Sequence, residues 1–222
     1  MNFKVNDYKN LSVTQILIGI NVAIFAVMWM FPSIYKYIML NFPSINLKVY
    51  GFYLNNGTFI PKDYVSIFST GEYYRFLTAN YLHGSPMHIM FNMLALYNLG
   101  QAIEPMIGKF KFFIVYTISG LGGTLLSSIM NLYLSPNHTI SSVGASGAVF
   151  GIAGCLVVLA IYRRNKGMDF LYRINYMPLV AMLGMNLVIG QMIDGIDNWG
   201  HIGGLIAGCL IGLMYTQMKN RY

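Results

Sequence analysis

Charge is what this sequence is short of. Only 9% of its 222 residues are Asp, Glu, Lys or Arg, against about 25% in soluble domains. So few charges exclude a chain that faces water on all sides, whereas 56% apolar residues suit one embedded in a bilayer. Cysteine is scarce too. Cys155 and Cys209 both lie inside apolar runs without metal-ligand spacing, which excludes a disulfide framework and reads as two reduced packing residues. There is no His-Glu-x-x-His, so the zinc-protease helix is absent, and no internal repeat is visible. The net charge of +7 fits cytosolic loop bias in a membrane protein rather than nucleic-acid binding. Lys4 and Lys9 precede an apolar stretch that is too long for a signal peptide and lacks a small-residue cleavage pattern, so it reads as a retained helix.

Crossing about 30 Å of hydrocarbon takes roughly 20 apolar residues. Six segments meet or approach that length: Leu11–Phe31, Pro86–Ile103, Phe112–Leu134, Val143–Tyr162, Tyr176–Ile193 and Trp199–Met218. The expected fold is therefore an all-α membrane protein of six transmembrane helices. Its divisions are a tail over 1–10, one transmembrane unit over 11–218 with a long outer loop at 32–85, and a second tail over 219–222. With the N-terminus inside, ten of the 14 lysines and arginines fall on the inner side, which predicts both termini in the cytosol. The long loop carries Ile34-Tyr35-Lys36-Tyr37-Ile38-Met39-Leu40 and Val49-Tyr50-Gly51-Phe52-Tyr53-Leu54. Such aromatic stretches suit helices lying in the outer interface, a small soluble lobe being the alternative. Asn55-Asn56-Gly57 is a turn signal.

Polar groups inside a membrane are costly and are functional hypotheses by default. The fourth segment opens on Val143-Gly144-Ala145-Ser146-Gly147-Ala148, a lone hydroxyl among small residues where foreign groups can approach. Ser146 reads as a nucleophile, and a helix starting there would place unpaired N–H groups beside a developing anion. The start is open between Val143 and Ser146. The sixth segment holds Gly200, Gly204, Gly208 and Gly212 every four residues, a ridge without side chains that lets a neighbouring helix approach closely. The fourth segment offers Gly147 and Gly151 at the same spacing, and His201 faces the same side as Gly204. Close packing would bring His201 within the ~2.6–3.2 Å of Ser146 that proton abstraction needs. A Ser146–His201 dyad follows, without a third member. Asp194 and Asp197 are candidates for support that helix-end and loop solvation explain equally well. In the second segment His88 and Asn92, four apart, share a face. Each alone reads equally as a helix–helix hydrogen bond; the pair, at the depth of Ser146, favours function. With His83 they form a polar pocket able to admit water. His138, in an outer loop, reads as solvated.

Taken together, Arg75, His83, His88-x-x-x-Asn92, Gly100-x-x-x-Glu104, Gly144-Ala145-Ser146-Gly147 and Gly200-His201-Ile202-x-Gly204-x-x-x-Gly208 resemble the rhomboid family of intramembrane serine proteases. The pieces stand in the family's order and cover about residues 73–215. The resemblance implies a six-helix rhomboid-like bundle in the cell membrane whose active site opens toward the extracytoplasmic side. It implies Ser146 as nucleophile, His201 as base and then acid, and an oxyanion hole of His88, Asn92 and the Ser146 N–H. His83, Phe150, Gly144, Gly204 and Gly208 would be supporting positions. The family often has Tyr four residues after the serine; Phe150 keeps the stacking and lacks the hydroxyl. The Trp-Arg pair of the family stands here as Tyr74-Arg75. The implied substrates are single-span membrane proteins cut in or near their transmembrane segments, with lateral access past the fifth helix near Gly184 and Gly190. No metal or other cofactor is implied. A catalytically inactive relative that binds transmembrane clients is the alternative. A proton or solute transporter would predict paired broken helices, which the sequence does not show.

Overall fold

The computed structural model describes residues 11–41, 44–45, 48–53, 59–65, 67–134, 141–165, 176–193 and 195–219. The first tail, the Asn55-Asn56-Gly57 turn, His138 and Asp194 lie outside the described residues. Six long helices correspond to the six expected spans: α1 (Val13–Met30), α5 (Pro86–Ile107), α6 (Lys109–Leu134), α7 (Ser146–Asn165), α8 (Met177–Met192) and α9 (Asn198–Lys219). Short helices α2 (Pro32–Asn41), α3 (Ile67–Thr70) and α4 (Arg75–Thr78), with a 3-10 turn at Ala79–Tyr81, fill the first loop. By length and composition α1, α6, α7 and α9 can each cross a membrane. The helix α8 is apolar but shorter, and α5 is 22 residues long but carries His88, Asn92 and Glu104. Large apolar side chains such as Trp29, Phe91, Phe113, Met185 and Leu210 point outward, the reverse of a soluble surface. The chain is a multi-pass membrane protein.

Helix starts obey local rules. Ser12 caps α1 in a capping box with Gln15, satisfying two otherwise unpaired groups. Ser85 caps α5 by accepting from His88 N at 3.2 Å, with Pro86 in the first turn, where its missing N–H costs nothing. The Gly100-x-x-x-Glu104 spacing acquires a physical meaning at the other end of α5. The buried Glu104 carboxylate accepts from Val13 N at 2.8 Å, Thr14 N at 2.9 Å and Thr14 Oγ1 at 2.6 Å. It thus sits on the positive end of α1. Gly100 makes the approach possible, since a Cβ there would lie 2.6 Å from Thr14 Cγ2.

In the bundle, α7 is the innermost element, buried without a break from Gly147 to Leu156. A helix apolar on all sides belongs there. It meets α9 glycine to carbonyl: a Cβ on Gly204 would lie 2.6 Å from the carbonyl carbon of Gly147 and 3.0 Å from its Cα. One turn on, Gly208 meets the carbonyl of Gly151 in the same way. The two glycine ridges meet as their spacing predicts, and α6 joins them, a contact that no such spacing announces. Gly123 of α6 lies against the Gly200 carbonyl and the Gly147 Cα, and Gly122 against Gly203. The helix α8 is held more loosely, with Leu183 and Gly190 its buried residues. Asn198 seats against Gly190 and donates to the Leu187 carbonyl at 2.9 Å.

The first loop differs from the expectation in one half. Its first aromatic stretch is helical, as α2. The second is not an interfacial helix: β2 (Lys48–Tyr53) pairs antiparallel with β3 (Phe59–Val65), with a register shift between Tyr50 and Gly51. Val, Tyr and Phe favour a pleated strand, Gly51 would weaken a helix, and its partner Pro61 is tolerated at an irregular position. A shorter ladder, β1 (Ser44–Ile45) on β4 (Ser141–Ser142), ties this loop to the chain leading into Ser146. Beneath the loop Arg75 is fully buried, with Glu72 at 3.2 Å. Thr124 of α6 donates to the Phe76 carbonyl at 2.8 Å.

Candidate active site

The helix α7 begins at Ser146, the later of the two starts the sequence allowed. The chain reaches it through β4 and a bend at Gly144, whose φ of 117° lies where a side chain is strained. The bend is pinned twice. Gly144 N donates to the Ala79 carbonyl at 2.9 Å, and Ala145 N donates to His83 Nε2 at 3.5 Å. His83 is fully buried, and burial, reinforced by the neighbouring His88, pushes its pKa down to about 3. It is therefore a neutral acceptor at working pH. Its ring meets that of His88 edge to face at 5.0 Å.

Over the bend stand His88 and Asn92. A Cβ on Gly144 would lie 2.6 Å from His88 Nε2 and 3.6 Å from Asn92 Nδ2. Only glycine leaves the space those two side chains occupy. Asn92 is buried and donates to the His88 carbonyl at 3.1 Å, so its amide is held near the start of α7. Both groups can donate toward whatever sits above the residue 144–146 backbone.

His201 comes from the first turn of α9. Its ring lies parallel on Phe150, centroids 4.3 Å apart and planes 3° from coplanar. Phe150 is one turn beyond Ser146, so the imidazole covers the opening turn of the serine helix. The backbones meet at the same level: a Cβ on Gly147 would lie 3.2 Å from the Gly200 carbonyl oxygen. The neighbours of Ser146 and His201 are thus in direct contact. Ser146 and His201 are both partly accessible. His201 Nδ1 has no hydrogen-bond partner among the described residues.

Asp197, which the sequence leaves open as a support, and Ser142, which nothing in the sequence singles out, meet at the site. Asp197 precedes α9 and accepts from Gly200 N at 3.0 Å. It also accepts from the buried Ser142 hydroxyl. Loop solvation does not describe it. The signal available was an Asp directly ahead of an apolar helix, a capping pattern. Ser142 had no signal beyond its place four residues before Ser146. Among the described residues no cluster of three or more His, Cys, Asp or Glu is arranged to hold a metal. Cys155 and Cys209 are free thiols.

The fold and this site define a polytopic helical membrane protein with a serine, histidines and an asparagine converging at one end of the bundle. The Rhomboid domain family matches residues 70–218, and the chain belongs to that family. It is 38% identical over 143 residues to Rhomboid protease GluP of Bacillus subtilis (strain 168), covering 64% of this chain and 26% of that protein. It is 34% identical over 167 residues to Rhomboid protease AarA of Providencia stuartii, covering 68% of this chain and 59% of that one. It is 36% identical over 148 residues to RHOMBOID-like protein 4 of Arabidopsis thaliana, covering 64% and 34%. The matched regions span between about a quarter and three-fifths of these relatives' lengths.

Proposed function

We propose that this chain is an intramembrane serine endopeptidase cleaving peptide bonds in or near transmembrane segments of single-span membrane proteins. The observation that carries the reading is the parallel stack of His201 on Phe150, with the Gly200 carbonyl against Gly147. Together they support a base poised above the serine turn. In the proposed cycle the Ser146 hydroxyl oxygen adds to the scissile carbonyl carbon while His201 takes its proton. The oxyanion is received by His88, Asn92 and the Ser146 N–H, donors worth roughly 10²–10³ in rate each when aimed at that charge. His201 then protonates the leaving amine, and the acyl ester forms. A water molecule, deprotonated by His201, adds to the ester and releases the carboxylic acid with Ser146 restored. No cofactor enters any step.

The supporting positions have separate tasks. Gly204 and Gly208 let α9 approach α7, Gly144 clears room for His88 and Asn92, His83 holds the bend, and Phe150 orients the imidazole. The unit over 11–218 acts as one protease domain, in the cell membrane with both termini cytosolic and the site opening on the extracytoplasmic side. Substrate helices must unwind locally, because a helical carbonyl is shielded by its own hydrogen bond.

The test is cleavage of a defined single-span substrate in liposomes by wild type, Ser146→Ala and His201→Ala. Wild-type cleavage lost in both variants is the expected result. Cleavage surviving Ser146→Ala refutes the nucleophile. Substrate bound but uncut by wild type favours the inactive, client-binding alternative.

A further inference from the structure

Asp197 is the one described carboxylate at the site end of α9, and the proposed cycle gives it no task. Its carboxylate faces two donors that belong to different elements. Oδ1 accepts from Gly200 N at 3.0 Å, in the first turn of α9. Oδ2 accepts from the Ser142 hydroxyl on β4. The Asp197 main-chain carbonyl adds a third bond, from His201 N at 3.2 Å. Gly200 is needed for this fold-over, since a Cβ there would lie 2.6 Å from Asp197 Oδ2. Ser142 is itself buried and set in the β1–β4 ladder opposite Ser44.

The consequence is geometric. One side chain joins the residue before His201 to the strand four residues before Ser146. A simple helix cap would use one acceptor oxygen; this one uses both, and the second does nothing for the helix. We propose that Asp197 is a positioning residue that clamps the histidine-bearing start of α9 to the Ser142 strand, fixing His201 against Ser146. The inference rests on the protease reading for its catalytic consequence, but the clamp itself is a property of the fold.

Two readouts separate these. In the full chain, kcat and KM are measured for wild type, Asp197→Ala, Asp197→Asn, Ser142→Ala and the Ser142→Ala/Asp197→Ala double variant. A misplacement on the ångström scale costs up to roughly a hundredfold, so Asp197→Ala should lower kcat by at least about tenfold with KM unchanged. Asp197→Asn retains one acceptor for Gly200 N and a polar partner for Ser142, and should recover most of kcat. The double variant should be no slower than Asp197→Ala, because both changes break one link. If Asp197→Ala does not fold, Ser142→Ala carries the test, since it removes one arm and leaves the helix cap in place. Independently of cleavage, amide hydrogen exchange is measured in the Ser146→Ala background. Asp197→Ala should speed exchange both at 198–201 and at 142–146. Wild-type kcat in Asp197→Ala, additive losses in the double variant, or faster exchange confined to 198–201 each overturn the clamp. If wild type does not cleave at all, the protease reading fails while the exchange result still decides the clamp.

Discussion

Replacing Gly204 with alanine should damage catalysis far more than stability. The added Cβ would meet the Gly147 carbonyl group, its carbon at 2.6 Å and Cα at 3.0 Å. Ordinary carbon–carbon contact is about 3.5–4.0 Å, so α9 must retreat from α7 by roughly 1 Å. Neither side can yield by rotating a side chain, because the Cβ position is fixed by the α9 backbone and the Gly147 atoms it meets are backbone. Overpacking of this kind costs about 1–3 kcal/mol, and the better helix propensity of alanine returns about 1 kcal/mol. The net loss of stability is then about 0–2 kcal/mol, small enough for the bundle to fold. The same 1 Å falls between the helices that carry Ser146 and His201, where a shift of that size costs about a hundredfold in rate. The assay is kcat on a single-span substrate beside an unfolding curve in detergent. Gly19→Ala is the control: nothing lies within 4 Å of its Cβ position, so it should leave kcat unchanged. Gly204→Ala with wild-type kcat would refute the claim that glycine-to-carbonyl contact sets the spacing of the proposed Ser146–His201 dyad.

Three further expectations follow from other parts of the molecule. Glu104→Ala removes three hydrogen bonds from the start of α1; bonds to charged groups contribute about 1.5–3 kcal/mol each, and because water can reach the half-buried Val13 N–H once the carboxylate is gone, a loss of at least about 3 kcal/mol in detergent unfolding is expected. Loss below about 0.5 kcal/mol would show that the carboxylate is replaceable by water. Phe150→Ala should lower kcat by up to about tenfold, the equivalent of an aromatic stack of about 0.5–1.5 kcal/mol, while Phe150→Tyr stays close to wild type; equal rates in Phe150→Ala would remove the stack from the mechanism. His83 supplies a pH signature. Its folded pKa of about 3 lies below the ordinary 6.5, so between those values the unfolded chain binds a proton that the folded chain does not. Stability is therefore highest above pH 6.5 and declines as pH falls, by up to about 1.4 kcal/mol per unit. A His83→Gln variant should lack this component of the decline, and parallel curves for the two proteins would contradict the assignment.

The parts of the fold legible in sequence are those governed by periodicity and by costly polar groups. Six apolar runs correspond to six long helices among the described residues, and the four-residue glycine spacing of Gly200, Gly204, Gly208 and Gly212 marks a helix contact on its own. What that spacing could not reveal was the third participant. Gly122 and Gly123 are adjacent rather than four apart, so they carry no ridge pattern that would mark a contact surface. The stretch Val49-Tyr50-Gly51-Phe52-Tyr53-Leu54 misled for a different reason. Aromatic and β-branched residues suit both an interfacial helix and a strand, and only pairing with Phe59–Val65 decides. The contact of Ser142 with Asp197 was obscured because a hydrogen bond spanning 55 positions leaves no local trace, although Asp197 itself stands in a capping position ahead of α9. His88, Asn92, Ser146 and His201 stood out because each is a polar group in an apolar setting, which the membrane makes conspicuous.

His201 Nδ1 is without a hydrogen-bond partner among the described residues, and this has a consequence for how such a site is built. In a serine–histidine–carboxylate triad the acid both orients the imidazole and stabilises its cationic form. Here orientation is available from another source: the ring is confined against Phe150 and its backbone is pressed between α6 and α7 at Gly200. Stacking fixes the plane of the ring, yet it offers little to a positive charge compared with a hydrogen-bonded carboxylate. A carboxylate directly on Nδ1 would, in this largely apolar setting, be a second ionised group needing its own hydrogen bonds. Placing Asp197 at the mouth of α9 instead lets backbone N–H and a hydroxyl satisfy its charge, as Gly200 N and Ser142 do. On the proposed reading the site therefore divides the task of one residue between two: Phe150 aligns the ring, and Asp197 fixes the helix that carries it. Asp197→Ala and Phe150→Ala should then affect kcat through separate routes, with losses that multiply rather than merge.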